Sequence, residues 1–107
     1  MAHKPDVFTW STVQLQRHIR QVAKDSERVV FLNHVMERMV QRKISDTEVR
    51  ECLQRGVLHG TPEPNAAKGN LECDMRNFCA GRNIRVIVAV SNDDPDLILV
   101  TVMTIKK

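Results

Sequence analysis

Three side chains in the first half of the sequence combine chemistry with spacing. His34, Arg38 and Arg42 fall at i, i+4 and i+8, so on a helix one imidazole and two guanidiniums project along a single line over two turns. Near neutral pH an imidazole accepts or donates a proton, while a guanidinium grips a pair of phosphate oxygens without losing its charge. A metal-free ribonuclease needs these parts: a base for the 2′-hydroxyl proton and cations for the charge that builds on the pentacoordinate phosphate. The bland reading of the same residues is a solvated helix face in which Arg38 and Arg42 pair with Glu37 or neighbouring carboxylates at little energetic gain.

His59 is a second candidate, as a general acid opposite His34 or as an ordinary strand residue, and Arg76, Arg82 and Arg85 add cations that extend a phosphate path or keep sheet edges soluble. The sequence holds no Gly-rich phosphate loop, CxxC pair, HExxH or GxSxG, which argues against most cofactor enzymes, and no cofactor is expected. Cys73 and Cys79 share one side of an extended segment but stand roughly 20 Å apart at about 3.3 Å per residue, so they do not share a zinc ion and no metal is expected. Together with Cys52 they read as three reduced, buried thiols of a cytoplasmic protein. With 4% aromatic residues and no tyrosine, a platform that stacks several bases is poorly provided for.

The 107 residues, 42% hydrophobic and 27% charged, suit one globular domain that folds without disulfides or metal. No run of about 18 apolar residues and no signal-like start appear, so a cytoplasmic chain off the membrane is expected. The net charge of +3 is uneven: residues 1–55 carry ten Lys and Arg against seven Asp and Glu, residues 56–107 six against six. That is a mild pointer to an anionic partner.

These residues need elements to position them. Ser11 with Gln14 forms a capping box that starts a helix over about 12–24, with Leu15, Ile19, Val22 and Ala23 on its buried stripe. Val29 to Leu32 reads as a strand, Asn33 as the cap of a second helix over 34–43, and Ser45 with Glu48 as a capping box for a third, which Gly56 ends in a left-handed stop. After Gly56 the period drops from about 3.6 to 2. Four strands follow, Val57 to His59, Leu71 to Cys79, Ile84 to Val90 and Leu97 to Ile105, with Pro62 to Asn65 as loop and Ala80 to Asn83 as hairpin turn. The fold class is therefore α+β, N-terminal helices packed on a mainly antiparallel four-stranded sheet. Its last two strands are apolar on both faces and call for cover on each side, from the first helix or from a second copy in a homodimer.

The run from His34 to Ser45, followed by the Glu48-Val49 helix and Gly56, resembles a family of short uncharacterised prokaryotic domains with a strand, then H-x-x-x-R-M-x-x-R-x-I, then a capped helix ending in Gly. Its closing V-T-V strand resembles Val100-Thr101-Val102. The likeness spans about 29–105, which makes residues 29–107 a toxin-like α+β domain and 1–28 an extension with one helix. That family has been grouped with the RelE/ParE type of toxin fold, shared with barnase-like and colicin-type ribonucleases. The resemblance implies that His34, Arg38, Arg42 and Thr101 gather as catalytic residues where helices meet sheet; read from the residues themselves, His59, Arg76 and Arg85 are expected to bind substrate. It implies a metal-independent endoribonuclease or RNA-binding domain, with RNA and a cognate antitoxin as partners. Two departures stand against a ribosome-dependent toxin: there is no tyrosine, and a helix lies outside the motif. The alternative is a non-catalytic protein-interaction module, or a gyrase-type inhibitor, on the same fold.

Overall fold

In a computed structural model, which describes residues 6–79 and 81–105, the second half of the chain is a twisted sheet and the first half is the layer of helices upon it. The helices are α1 (Thr12–Ala23), α2 (Asn33–Arg42) and α3 (Asp46–Arg55), with 3-10 turns at Val7–Thr9 and Ser26–Arg28. The strands are β1 (Val29–Val30), β2 (Val57–Leu58), β3 (Glu63–Asn65), β4 (Asn70–Cys79), β5 (Arg82–Val90) and β6 (Leu97–Ile105). The expected α+β class holds, but the sheet has six strands and is mixed, in the order β1-β6-β5-β4-β2 with β3 beside β2 on the outer edge of β4.

Of the two strands beyond the expected four-stranded sheet, β1 is the shortened form of the strand expected over Val29 to Leu32, and only β3 was expected as loop. β1 is only two residues long and pairs parallel to β6, Val29 with Leu97 and Val30 with Ile98. β3 is the stretch expected as loop: Pro64 lacks a backbone donor, and an edge position opposite Leu71 tolerates that. β4, β5 and β6 form the antiparallel meander expected from the period-2 pattern. The expected four-residue hairpin turn is shorter, since Cys79 pairs with Arg82 and Gly81 adopts φ 80°; Ala80 lies outside the described residues.

The capping boxes of α1 and α3 form as expected, with both reciprocal bonds present in each. α2 departs from expectation at both ends. Leu32, not Asn33, is its N-cap, with extended backbone and no side-chain cap, because the Leu32 carbonyl already accepts from the N–H groups of Val35 and Met36. At its C-terminus Lys43 takes the left-handed conformation (φ 54°), and the Ile44 N–H reaches back to the Met39 carbonyl while Lys43 N–H bonds Val40, closing a Schellman motif. The left-handed stop thus falls after α2. Gly56 is extended (φ −70°, ψ 174°), and its glycine is required by proximity: a Cβ there would lie 2.8 Å from the Arg76 carbonyl oxygen and against that of Cys52.

One clamp holds the α2–α3 corner to the sheet. The Arg82 guanidinium donates to both carboxylate oxygens of Glu48 at 2.7 Å and to the Lys43 carbonyl at 2.7 Å. Glu48 is 13% exposed, and the Arg82 bonds, followed by those from Ser45, hold its carboxyl below the usual glutamate range. A carboxylate with a lowered folded pKa contributes stability above its unfolded pKa, about 4.3, and loses that contribution as pH falls through the lower folded value. Arg82→Ala is therefore expected to lower stability by about 1–2 kcal/mol at pH 7, with the gap to the parent closing in acid below the glutamate range; urea midpoints from pH 7 to pH 3 measure it.

All three helices bury their apolar stripes in one core against the same sheet face, built from Leu71, Cys73 and Met75 on β4, Ile84, Val86, Val88 and Val90 on β5, and Leu97, Leu99 and Val102 on β6. Leu15, Ile19, Val22 and Ala23 of α1 belong to that core, so α1 does not cover the opposite face. The opposite face is also less apolar than expected. The β4–β5 register sets Asp74 beside Ile87 and Arg76 beside Arg85, so charges stand on this face beside Ile87, while Ile98 and Val100 of β6 are half-buried.

Candidate functional site

Two residues of the sequence motif, His34 and Arg42, bind β6 at a defect in the sheet that also carries Thr101. In β6, Val100 and Thr101 together face the single residue Ile87 of β5, because the register passes from Val88–Leu99 to Ile87–Thr101. This β-bulge is what keeps both Leu99 and Val102 in the core although they are three residues apart: without the extra residue, period-2 alternation would send one of them outward. It also re-aims Thr101, which lies on the open face and lines a groove there.

α2 runs beside this stretch of β6 and binds it on either side of Thr101. His34 Nε2 lies 3.2 Å from the Val100 carbonyl oxygen, and Arg42 Nη1 donates to the Val102 carbonyl oxygen at 2.7 Å. Beyond its short pairing with β1, this side of β6 has no strand neighbour among the described residues, so the two side chains satisfy carbonyls that a partner strand would otherwise take. A carbonyl oxygen only accepts, so His34 carries its proton on Nε2, and in the neutral ring the exposed Nδ1 is left as a proton acceptor. Arg38 stands one turn, roughly 6 Å along the axis, from each of them; it is exposed and makes no hydrogen bond or ion pair among the described residues.

The groove, about 370 Å³, is floored by Glu72 and Asp74 of β4, Arg85 and Ile87 of β5, and Val100 and Thr101 of β6; His59, Gly60, Thr61 and Glu63, in and around the β2–β3 connection, form its wall. Asp74, 17% exposed, accepts from Arg76 at 3.1 Å and from Arg85 at 3.1 Å, so these two sequence-expected cations share one carboxylate. Arg85 also reaches the Met103 sulfur at 3.5 Å, and Glu72 accepts from Asn65 at 3.2 Å. His59 is fixed by its backbone, whose N–H donates to the Asp74 carbonyl oxygen at 2.7 Å, and its imidazole is exposed.

His59 and His34 lie at opposite ends of this arrangement. His59 follows β2 and His34 bonds to β6, and from β2 to β6 the sheet counts three strand spacings of about 4.8 Å, so roughly 14 Å separate the two anchoring strands. Sequence reasoning missed the acids of the groove, Glu63, Glu72 and Asp74. The signal for Glu72 and Asp74 was their alternation with Leu71, Cys73 and Met75, but which strand lay beside them was not in the pattern, and Glu63 fell in the stretch expected as loop.

Burial pushes the Cys73 thiol up to about 12, and Cys52 is buried with its sulfur donating to the Met75 carbonyl at 3.4 Å, so both act as core side chains. Among the described residues no group of three or more His, Cys, Asp or Glu is arranged to hold a metal ion, and no helix is long and apolar enough to cross a membrane.

Fold and site together define a small α+β domain in which a basic helix grips the bulged last strand of a mixed sheet. Residues 31–104, well over half of the chain, match the family described as Domain of unknown function (DUF4258), and the chain belongs to that family. The match takes in β2–β6, α2 and α3, and leaves α1 outside. No curated protein and no solved structure matched the chain.

Proposed function

We propose that this chain is a toxin-like domain of RelE/ParE type that acts on RNA without a metal, with its site at the junction of α2 and the β6 bulge. The observation that carries this reading is the grip on Val100-Thr101-Val102. His34 is held as the Nε2–H tautomer on the Val100 carbonyl, the residue before Thr101, and stands one turn from an uncommitted Arg38. In this scheme His34 Nδ1 takes the 2′-hydroxyl proton, the 2′-oxygen attacks phosphorus, and the bond to the 5′-oxygen breaks, the departing oxygen taking a proton from the imidazolium. Arg38 and the remaining donors of Arg42 hold the non-bridging oxygens, and the Thr101 hydroxyl donates to one of them. His59 and Arg85, which line the groove, and Arg76 beside it contact the flanking strand, with Asp74 holding both guanidiniums in place. The products are a 2′,3′-cyclic phosphate and a 5′-hydroxyl.

The test is incubation of the purified chain with total RNA in EDTA. The parent is expected to cleave, and Arg38→Ala to lose about 10-fold or more in rate at an unchanged melting temperature, because Arg38 supports no other side chain. Cleavage that Arg38→Ala leaves intact would remove the site assignment.

A second reading has its own observation. Leu32, Met36 and Val40 (80% exposed) form an apolar stripe along the flank of α2 away from His34 and Arg38, suited to a protein partner such as an antitoxin or to a second copy of the chain. A parent that neither cuts RNA in EDTA nor slows growth on expression would favour this interaction module.

A further inference from the structure

Residues 11–24, α1 with its caps, hold three of the sixteen Lys and Arg and none of the thirteen Asp and Glu, so the entire formal net charge of +3 sits on this one helix and the rest of the chain balances to zero. The buried stripe of α1 faces the sheet, which turns Val13, Arg17, Gln21 and Lys24 outward on the opposite arc. Arg20 is committed, donating to the Gly56 carbonyl at 2.7 Å. Arg17 and Lys24 are exposed and make no hydrogen bond or ion pair among the described residues. Two adjoining surface cavities run along this arc, about 420 Å³ and about 340 Å³, and share Arg17 and Gln21. The larger one is walled by the half-buried Trp10, whose indole is held edge-to-face by the His18 ring at 5.0 Å.

We propose that this outer face of α1 binds a single-stranded nucleic acid, with one base stacked on Trp10, phosphates on Arg17 and Lys24, and the amide of Gln21 reaching base edges. Each feature answers one need of such a ligand. The helix itself carries no carboxylate, although Asp25 follows Lys24 directly, so its exposed cations attract a polyanion, and an amide side chain offers both a donor and an acceptor. A fixed indole beside them takes an unstacked base, which a duplex does not present. An anionic lipid surface fits less well, since the apolar stripe of α1 is consumed by the core and Val13 is the only aliphatic side chain on the outer arc. The proposal does not rest on RNA cleavage at α2, because α1 lies outside that site and outside the family match.

Trp10 is the only tryptophan, and its fluorescence therefore reports on this surface directly. The full chain is titrated with a 12-nucleotide RNA, the matching DNA strand and their DNA duplex; the DNA strand has no 2′-hydroxyl, so binding is read there without cleavage. Saturable quenching by the single strands, weaker with duplex, is the expected result. In Arg17→Ala/Lys24→Ala the affinity should fall at least 10-fold, and the slope of log K against log salt should shrink by about 1.4, at 0.7 per phosphate contact on a single strand. A urea midpoint equal to the parent's establishes that this variant folds. The proposal is overturned by absent quenching with both single strands, by parental affinity in the folded double variant, by tighter binding of duplex, or by equal quenching with anionic vesicles or polyglutamate.

Discussion

His34→Ala is expected to reduce RNA cleavage in EDTA by 10²- to 10⁴-fold, the range that a positioned general base contributes, while shifting stability by only about 1 kcal/mol. The separation of the two effects follows from the geometry. Among the described residues His34 makes one hydrogen bond, a solvent-exposed one to the Val100 carbonyl, which water satisfies once the ring is gone. Arg42 is different, since its bond to Val102 at 2.7 Å is partly buried, and Arg42→Ala should cost stability as well as rate. His34→Gln separates tethering from proton transfer: its amide donates to Val100 as the imidazole does but cannot act as a base at neutral pH. Cleavage rates by gel and urea midpoints on the same preparations read both quantities. His34→Gln retaining parental cleavage would mean that the residue only anchors α2 to β6.

The largest expected loss of stability comes from a single methyl group. In Gly56→Ala the added Cβ meets two backbone carbonyl oxygens, that of Cys52 at the end of α3 and that of Arg76 on β4 at 2.8 Å, and neither belongs to a side chain that can swing aside. The Gly56 N–H already bonds the Cys52 carbonyl at 2.8 Å, and Arg20 binds the Gly56 carbonyl, so the residue is held from both sides. Relief requires α3 to lift from β4, which strips Cys52 and Leu53 from the core. We expect about 3 kcal/mol of destabilisation, a large part of the 5–15 kcal/mol that holds a domain of this size together. Since φ at Gly56 is −70°, backbone strain contributes nothing, and Gly81→Ala makes the opposite control: open space around the Cβ but φ 80°. A Gly56→Ala urea midpoint within error of the parent would refute the packing argument.

Much of the frame could be read from the residues in order. Both capping boxes, the switch of period after Gly56, and the inward alternation of Leu71, Cys73 and Met75 are local signals, set by the hydrogen bonds and side-chain directions of a few consecutive residues. The line of His34, Arg38 and Arg42 was legible for the same reason, since helical spacing alone aligns them. Local chemistry misled where two explanations share one residue: Gly56 was expected to be left-handed, but its glycine answers a contact with a strand twenty residues away, while Lys43 accepted the left-handed turn at α2.

What only the tertiary structure decided is which faces and edges meet. The bulge at Val100-Thr101 exists because Leu99 and Val102 must both be buried, a demand made by the helices packed on β6, and no rule within β6 itself announces it. The parallel pairing of β1, the seating of α1 on the same sheet face as its neighbours, and the sharing of Asp74 by Arg76 and Arg85 depend on strand register across the whole chain. Sequence determines which residues lie on one side of an element because that periodicity is a property of the backbone; it leaves open what lies opposite, because partners distant in the chain are selected by packing all the elements at once.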